Sequence, residues 1–242
     1  MTLEAKPKKL IIAIDGPAGA GKSTIARMAA KRMNFIYIDT GAIYRALTLK
    51  ALREGIDMSN EAKLISLAMD TKIDLENNPD GSIKVLLDNL DVSTDIRKPE
   101  ISRFVSDVAK LEGVRKQMLH LQRKFGLRTS CVLDGRDIGT VVFPNADKKF
   151  FLDARLKERV SRRYKELKAS QRAMVCLPIG KATSQQKVTF SDVQKDIKNR
   201  DTIDSSRKCA PLKKADDAIY LDTTKMTIEE VVERVLKEIR NG

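Results

Sequence analysis

The sequence predicts an α/β protein built on a five-stranded parallel sheet with helices on both faces. Three observations point there. Short β-branched apolar runs alternate with amphipathic helical patterns along most of the chain. The first run leads into Gly16-x-x-x-x-Gly21-Lys22-Ser23, a phosphate-cradling pattern that requires strand, glycine loop and helix in that order. The clusters of charged residues follow predicted strand ends or lie in insertions beside them, and in parallel sheets ligands gather at the carboxyl ends of strands.

Five core strands are expected at residues 10–14, 35–38, 131–133, 149–152 and 218–221. After the first strand, Gly16, Gly19 and Gly21 allow the backbone to approach a ligand and turn successive amides inward. A helix over 22–33 follows, with Ile25, Met28, Ala29 and Met33 on one side; the alternative is a plain glycine-rich turn before an ordinary helix. Residues 39–130 are too many for one crossover. Helices over 42–54 and 60–69 give way to strand-like runs at 73–76, 83–87 and 90–92, punctuated by Asn78-Pro-Asp-Gly81 and Asp88-Asn89. A small inserted antiparallel sheet is expected, then one long helix or two consecutive ones over 100–125. Between the fourth and fifth strands lies a basic helix over 155–168, a polar segment over 170–188 that reads as irregular and mobile, and a second helix over 191–199 with Ser191 as a candidate N-cap. That section reads as a hinged lid. The last helix carries an apolar stripe of Ile228, Val231, Val232, Val235 and Ile239 behind a Thr227–Glu230 capping box.

Composition narrows the function classes. The chain has 242 residues, 42% of them hydrophobic and 33% charged, which suits a water-soluble globular domain. No apolar run reaches the ~20 residues of a membrane span, and the first residues lack a signal-peptide core. Cys131, Cys176 and Cys209 form no C-x-x-C pair, so neither a disulfide framework nor a zinc site is indicated, and a cytoplasmic protein is expected. The only histidine, His120, falls within a predicted helix and reads as a surface or packing residue. The net charge of +13 fits a nucleic-acid surface, solvated helix faces, or arginines around a small polyanion. Aromatics are only 5%, with no Trp, which weakens the case for base-stacking platforms and favours the third reading.

Three further constellations carry chemistry. Asp39-Thr-Gly-Ala-Ile-Tyr-Arg45 places a carboxylate, a hydroxyl and a guanidinium after the second strand; an N-capped helix with a surface arginine is the other reading. Asp134-Gly-Arg-Asp137 follows the third strand and reads as a polar pocket beside the phosphate loop or as a salt-bridged turn. Arg200-Asp-x-x-Asp204-x-x-Arg207 reads as a phosphate and sugar site, with Arg200 and Arg207 projecting alike from a helix, or as an ion-pair ladder.

Together with Phe151-Leu-Asp-Ala154 and Ala210-Pro-Leu212, these segments resemble, in order and over nearly the whole chain, the bacterial cytidylate kinases among the P-loop nucleoside monophosphate kinases. The resemblance implies a P-loop NTPase core (8–40, 126–154, 208–242), a monophosphate-binding insertion over 41–125 and a lid over 155–207, as one domain. It implies transfer of the γ-phosphoryl group of ATP, with Mg²⁺, to CMP or dCMP, by a cytoplasmic monomer with no nucleic-acid or membrane partner. Gly16, Pro17, Ala18, Gly19, Ala20, Gly21, Lys22, Ser23 and Thr24, with Arg163, would bind ATP, and Ser23 would ligate the metal. Thr40, Arg45, Ser106, Arg115, Arg136, Asp137, Arg200, Asp204 and Arg207 would hold the monophosphate, Ser106 and Arg115 facing the base and Arg45 and Arg136 the phosphate. Lys22, Arg136 and Arg207 are the expected catalytic residues, and Asp134 could orient metal-bound water. The family often has Ser where Thr40 stands, and the 168–188 stretch is longer and more polar than usual. Another small-molecule P-loop kinase, or a nucleic-acid-binding ATPase, remains the alternative.

Overall fold

The computed structural model describes residues 9–175 and 188–241. Its main sheet contains β1 (Ile11–Asp15), β2 (Ile36–Asp39), β6 (Cys131–Gly135), β7 (Lys148–Asp153) and β8 (Ile219–Asp222), in the order β2-β6-β1-β7-β8 and all parallel. The five expected strands are all present, each reaching one or two residues further toward its carboxyl end. Five of the six added residues are acidic, Asp15, Asp39, Asp134, Asp153 and Asp222, and the sixth is Gly135. A carboxylate there still pairs in the ladder while its side chain receives groups from the next turn, as when Asp39 accepts from the Ala42 amide and caps the following helix.

Register levels these ends. Asp15 faces Gly135 and Phe151, Asp39 faces Asp134, and Asp153 faces Asp222. Below them Ile12, Ile14, Leu133, Phe150 and Leu152 are at most 1% exposed and fill the centre of the sheet. Truncation of Phe150 to Ala there costs about 3–5 kcal/mol. α1 (Lys22–Met33) and α8 (Ile228–Arg240) pack together on the sheet, joined by Arg32 to Glu229 and Glu233, and the Thr227–Glu230 capping box forms as expected.

The insertion between β2 and β6 begins with α2 (Thr40–Arg53) and α3 (Glu61–Asp70). Its antiparallel sheet runs β3 (Ile73–Asn77), β4 (Ile83–Leu87) and β5 (Leu90–Asp91). Two helices follow, α4 (Pro99–Ala109) and α5 (Glu112–Gly126), not one. The chain turns extended at Leu111 (ψ 122°), and Gly113 then lies so close to Ile65 that a Cβ would stand 2.4 Å from its Cδ1. The hairpin leans on the main sheet, with the Tyr37 amide donating to Asn77 Oδ1.

Between β7 and β8 stand α6 (Leu156–Val175) and α7 (Phe190–Ser206), packed through Val160, Val193 and Ile197. Three expectations change here. The helix continues to Val175, past the start of the expected irregular segment, whose residues 176–187 lie outside those described. The N-cap of α7 is Thr189, in a capping box with Asp192, not Ser191. Arg207 has left the helix (φ −63°, ψ 140°), so Arg200 and Arg207 do not project alike. No helix among the described residues is long and apolar enough to cross a membrane.

Candidate active site

The glycine loop connects β1 to α1. Gly16 (φ +147°) presses against β7, where a Cβ would sit 1.9 Å from the Leu152 carbonyl oxygen. Gly19 (φ +76°) meets the α6 backbone, where a Cβ would lie 2.9 Å from the Arg159 carbonyl oxygen. α1 begins at Gly21 with no side-chain cap and no acid in its first turn, whereas α2, α3, α7 and α8 are capped by side chains. The amides at the start of α1 are therefore not claimed by a capping side chain, which suits an anion.

Lys22 is 5% exposed, and its Nζ donates to the Pro17 carbonyl at 2.8 Å, so the ammonium folds over the loop. Burial, then the charge of Arg136, lower its pKa from 10.5 to about 7, opposed by Asp134 and Asp15. Ser23 Oγ donates to Asp134 Oδ2 at 2.8 Å, and the Tyr37 hydroxyl donates to Asp134 Oδ1 at 2.7 Å. Burial first, and Asp39 next, push the Asp134 carboxyl up to about 6. Two oxygen donors side by side at the loop suit a hard cation such as Mg²⁺. Among the described residues no group of three or more metal-ligating side chains could hold a metal alone, so phosphate and water would supply the other ligands.

Helices α6 and α7 also touch the loop. Arg159 donates from Nη1 to the Ala18 carbonyl at 2.9 Å and to Asp201 Oδ2 at 2.5 Å, and the Ala18 amide donates to Asp201 Oδ1 at 3.1 Å. Arg162 donates to Thr223 and, at 3.5 Å, to the Ala20 carbonyl. Among the described residues, the arginines hydrogen-bonded to the loop are thus Arg159 and Arg162. Arg163 pairs with Glu166, and its charge bears on Arg45 and Arg200, which places it beside the arginine group described next.

That group gathers where β6 ends. Asp137 accepts from Arg115 Nη2 and, at 3.3 Å, from Arg207 Nη2. Asp204 accepts from Arg136 Nε at 2.8 Å and lies 3.7 Å from Arg207 Nη1. Arg207 Nε donates to the Ala210 carbonyl at 2.5 Å, across a residue held at φ +50°. On α4, Ser102 receives Arg45 Nη1 on its Oγ and Arg200 Nη2 on its carbonyl, each at 2.8 Å. Ser106 is half-buried four residues on, along the same face. Burial and Arg200 lower the Arg45 pKa to about 10. Thr40 is buried, its hydroxyl donating to the Asp134 carbonyl at 2.7 Å. Arg115 Nε is buried with no hydrogen-bond partner among the described residues, an oriented donor in want of an acceptor. Of the six guanidiniums gathered here, Arg115, Arg136 and Arg207 pair with two central carboxylates, Asp137 and Asp204, while Arg163 pairs with Glu166, Arg200 with Asp196 and Arg45 with the Ser102 hydroxyl. The excess positive charge suits a phosphate dianion.

The expected loop and monophosphate residues therefore come from six segments of the chain, the loop, α2, α4, α5, the turn after β6 and α7, at the carboxyl end of the sheet. Sequence reasoning missed Asp15, Tyr37, Ser102, Arg159, Arg162 and Asp201. Asp201 stands inside a segment that it did single out, and the closing acid of the first strand was the available signal for Asp15.

A glycine loop between a central parallel strand and a helix, with an inserted subdomain and a helical pair beside it, defines a P-loop kinase. The cytidylate kinase family model matches residues 12–241. A cytidylate kinase from Clostridioides difficile is 49% identical over 230 residues, covering 95% of this chain and 98% of that one. One from Solibacter usitatus is 45% identical over 238 residues, covering 98% and 95%. A crystal structure of an uncharacterised protein from Eubacterium ventriosum shares the fold, with TM-score 0.52 at 12% identity over 97% of this chain and all of that one. The chain belongs to the cytidylate kinase family, and its activity is that of a CMP-phosphorylating phosphotransferase.

Proposed function

We propose that the γ-phosphoryl group of ATP is passed to CMP or dCMP across the end of β6, with ATP on the glycine loop and the monophosphate among the arginines. One observation carries this reading. Asp134 meets Ser23 of the loop, while Arg136 and Asp137, two and three residues on, meet Asp204, Arg115 and Arg207. A single strand end thus joins the two halves.

The roles follow from charge and geometry. The loop amides and Lys22 would hold the donor phosphates, and Mg²⁺, taken by Ser23 beside Asp134, would neutralise charge on their oxygens. Arg45, Arg136 and Arg200 would grip the acceptor phosphate, and Asp204 would accept from the sugar. Asp137 would accept from the cytosine amino group while Arg115 Nε and the Ser106 hydroxyl donate to its ring acceptors. Uracil would turn a carbonyl toward Asp137 and leave polar groups unpaired, at about 1–3 kcal/mol per group. In-line positioning and a fixed positive field suffice for this chemistry, and no side chain need act as a base. Residues 41–125 and 155–207 would serve as the monophosphate-binding part and lid of a single domain, in a cytoplasmic monomer without a nucleic-acid partner.

An ADP-release assay with ATP and Mg²⁺ across CMP, dCMP, UMP and AMP tests the reading. CMP and dCMP should turn over far faster than the others, and equal rates across the four would overturn it.

A further inference from the structure

Asp15 is the last residue of β1 and is 4% exposed. Its two carboxylate oxygens receive two consecutive amides from far along the chain, Ile138 at 2.8 Å and Gly139 at 2.7 Å. These amides open the wide turn Ile138–Val142, directly after Asp137. Asp15 is also directly followed by Gly16, which is fixed against the Leu152 carbonyl. One carboxylate therefore bridges the root of the donor loop and the turn that orients Asp137.

The charge is expensive where it sits. Burial is the largest influence on Asp15, and Asp137 is a like-charged neighbour; together they raise its pKa to about 6 against the two amides and the Lys22 ammonium. On the far side, Lys149 presents only its stem to Gly139, where a Cβ would meet Cδ at 3.1 Å, because its Nζ is taken by the Pro144 carbonyl and Asp217. A side chain that merely filled this space would be better off neutral. What a carboxylate alone offers is two acceptors side by side, matched to two adjacent amides.

We propose that Asp15 is a positioning residue for the acceptor nucleoside: its bidentate hold on the Ile138 and Gly139 amides sets the place of the Asp137 carboxylate, and so the affinity for the base, relative to the donor loop. This rests on the reading that Asp137 faces the base. In Asp15→Asn one amide would meet an NH₂ group in place of an oxygen, and the turn must shift or leave a buried donor unpaired. Asp15→Ala removes both acceptors.

The test compares the wild type with Asp15→Asn and Asp15→Ala, reading KM for CMP, binding of a fluorescent N-methylanthraniloyl-ATP, and inhibition by cytidine, which has no phosphate to titrate. KM for CMP should rise about tenfold in Asp15→Asn and more in Asp15→Ala, with the ATP analogue bound within about twofold of wild type. In the wild type, inhibition by cytidine should weaken as pH falls through about 6, where the carboxylate gains a proton and loses one acceptor. Asp15→Asn should have lost that pH dependence. The wild-type pH profile stands even if neither variant folds. Unchanged KM for CMP in a folded variant, equal weakening of both nucleotides, or a flat wild-type cytidine profile would each overturn the proposal. The reading beneath it fails separately, if the wild type shows no preference for CMP over UMP and AMP.

Discussion

The donor half and the acceptor half of this site are built from different materials. The donor half is mostly backbone: glycines in left-handed conformations, helix amides not claimed by a capping side chain, and one lysine lying across its own loop. The acceptor half is almost wholly side chain, with the guanidiniums of Arg115 from α5, Arg136 from the turn after β6 and Arg207 from the end of α7 cross-linked by Asp137 and Asp204, and Arg45 of α2 and Arg200 of α7 meeting at Ser102. A backbone cradle binds any polyphosphate of the right length, whereas a lattice of paired side chains can be tuned to one base. Damage to the first half should therefore abolish chemistry, and damage to the second should change what is bound.

The largest expected effect is on the donor side. Lys22→Ala should lower kcat/KM by about 10³-fold or more, because the ammonium stabilises charge that spreads over the transferring oxygens. The fold should survive, since a buried cation whose ionised form is disfavoured by its surroundings is being removed. Circular dichroism and thermal unfolding check the fold, and ADP release checks the rate. Near-wild-type turnover would remove the loop from the chemistry.

On the acceptor side, Asp137→Asn should raise KM for CMP about 10²-fold while sparing the ATP analogue. It weakens the pairings to Arg115 and Arg207 at once, and uncompensated buried guanidiniums are costly. The same change should narrow the preference for CMP over UMP, since an amide can present a donor to the uracil carbonyl. A variant that loses ATP and CMP binding in equal measure would erase the contrast between the halves.

Asp201 tests the seam between α7 and the loop. In Asp201→Asn both the Ala18 amide and Arg159 lose a charged acceptor. KM for ATP should rise about tenfold and KM for CMP much less, measured by varying each nucleotide against saturating partner. An effect confined to CMP would assign Asp201 to the acceptor side instead.

What was legible in the sequence follows the same division. The donor half obeys local rules. Strand, three glycines, lysine and serine occur within one short run, and the physics of that run needs nothing from elsewhere in the chain. The acceptor half is long-range. Arg115 meets Asp137 from α5, Arg136 meets Asp204 from α7, and Arg45 and Arg200 meet at Ser102, contacts that no spacing encodes. The sequence analysis supplied these arginines and the two aspartates, but not which meets which, and it did not supply Ser102. Where spacing was relied on, at Arg200 and Arg207, it misled, because the helix ends at Ser206 and Arg207 turns toward Asp137. The resemblance implied Arg163 as an ATP-binding residue. One face of its helix presents Arg159 and Arg162 to the loop, and the charge of Arg163 falls on the other half of the site. Asp15 was overlooked as a site residue because apolar patterning ends one residue before it.

The smallest effect sharpens the comparison most, because only the donor half should show it. With a pKa lowered to about 7 from 10.5, Lys22 is largely neutral at pH 8 in the free protein. Polyphosphate beside it would restore the proton, so ATP binding should take up a substantial fraction of one proton per site at that pH. Calorimetry of ATP binding in two buffers of different ionisation enthalpy measures the uptake directly. The sign extends to stability. Between about 7 and 10.5 the unfolded chain holds a proton on Lys22 that the folded chain has given up, so Lys22 makes the folded state more stable as pH rises through that window. In Lys22→Met both the uptake and that share of the pH dependence should vanish. ATP binding with no buffer dependence at pH 8 would mean that the ammonium keeps its proton throughout, and that the loop carries its full positive charge before the nucleotide arrives.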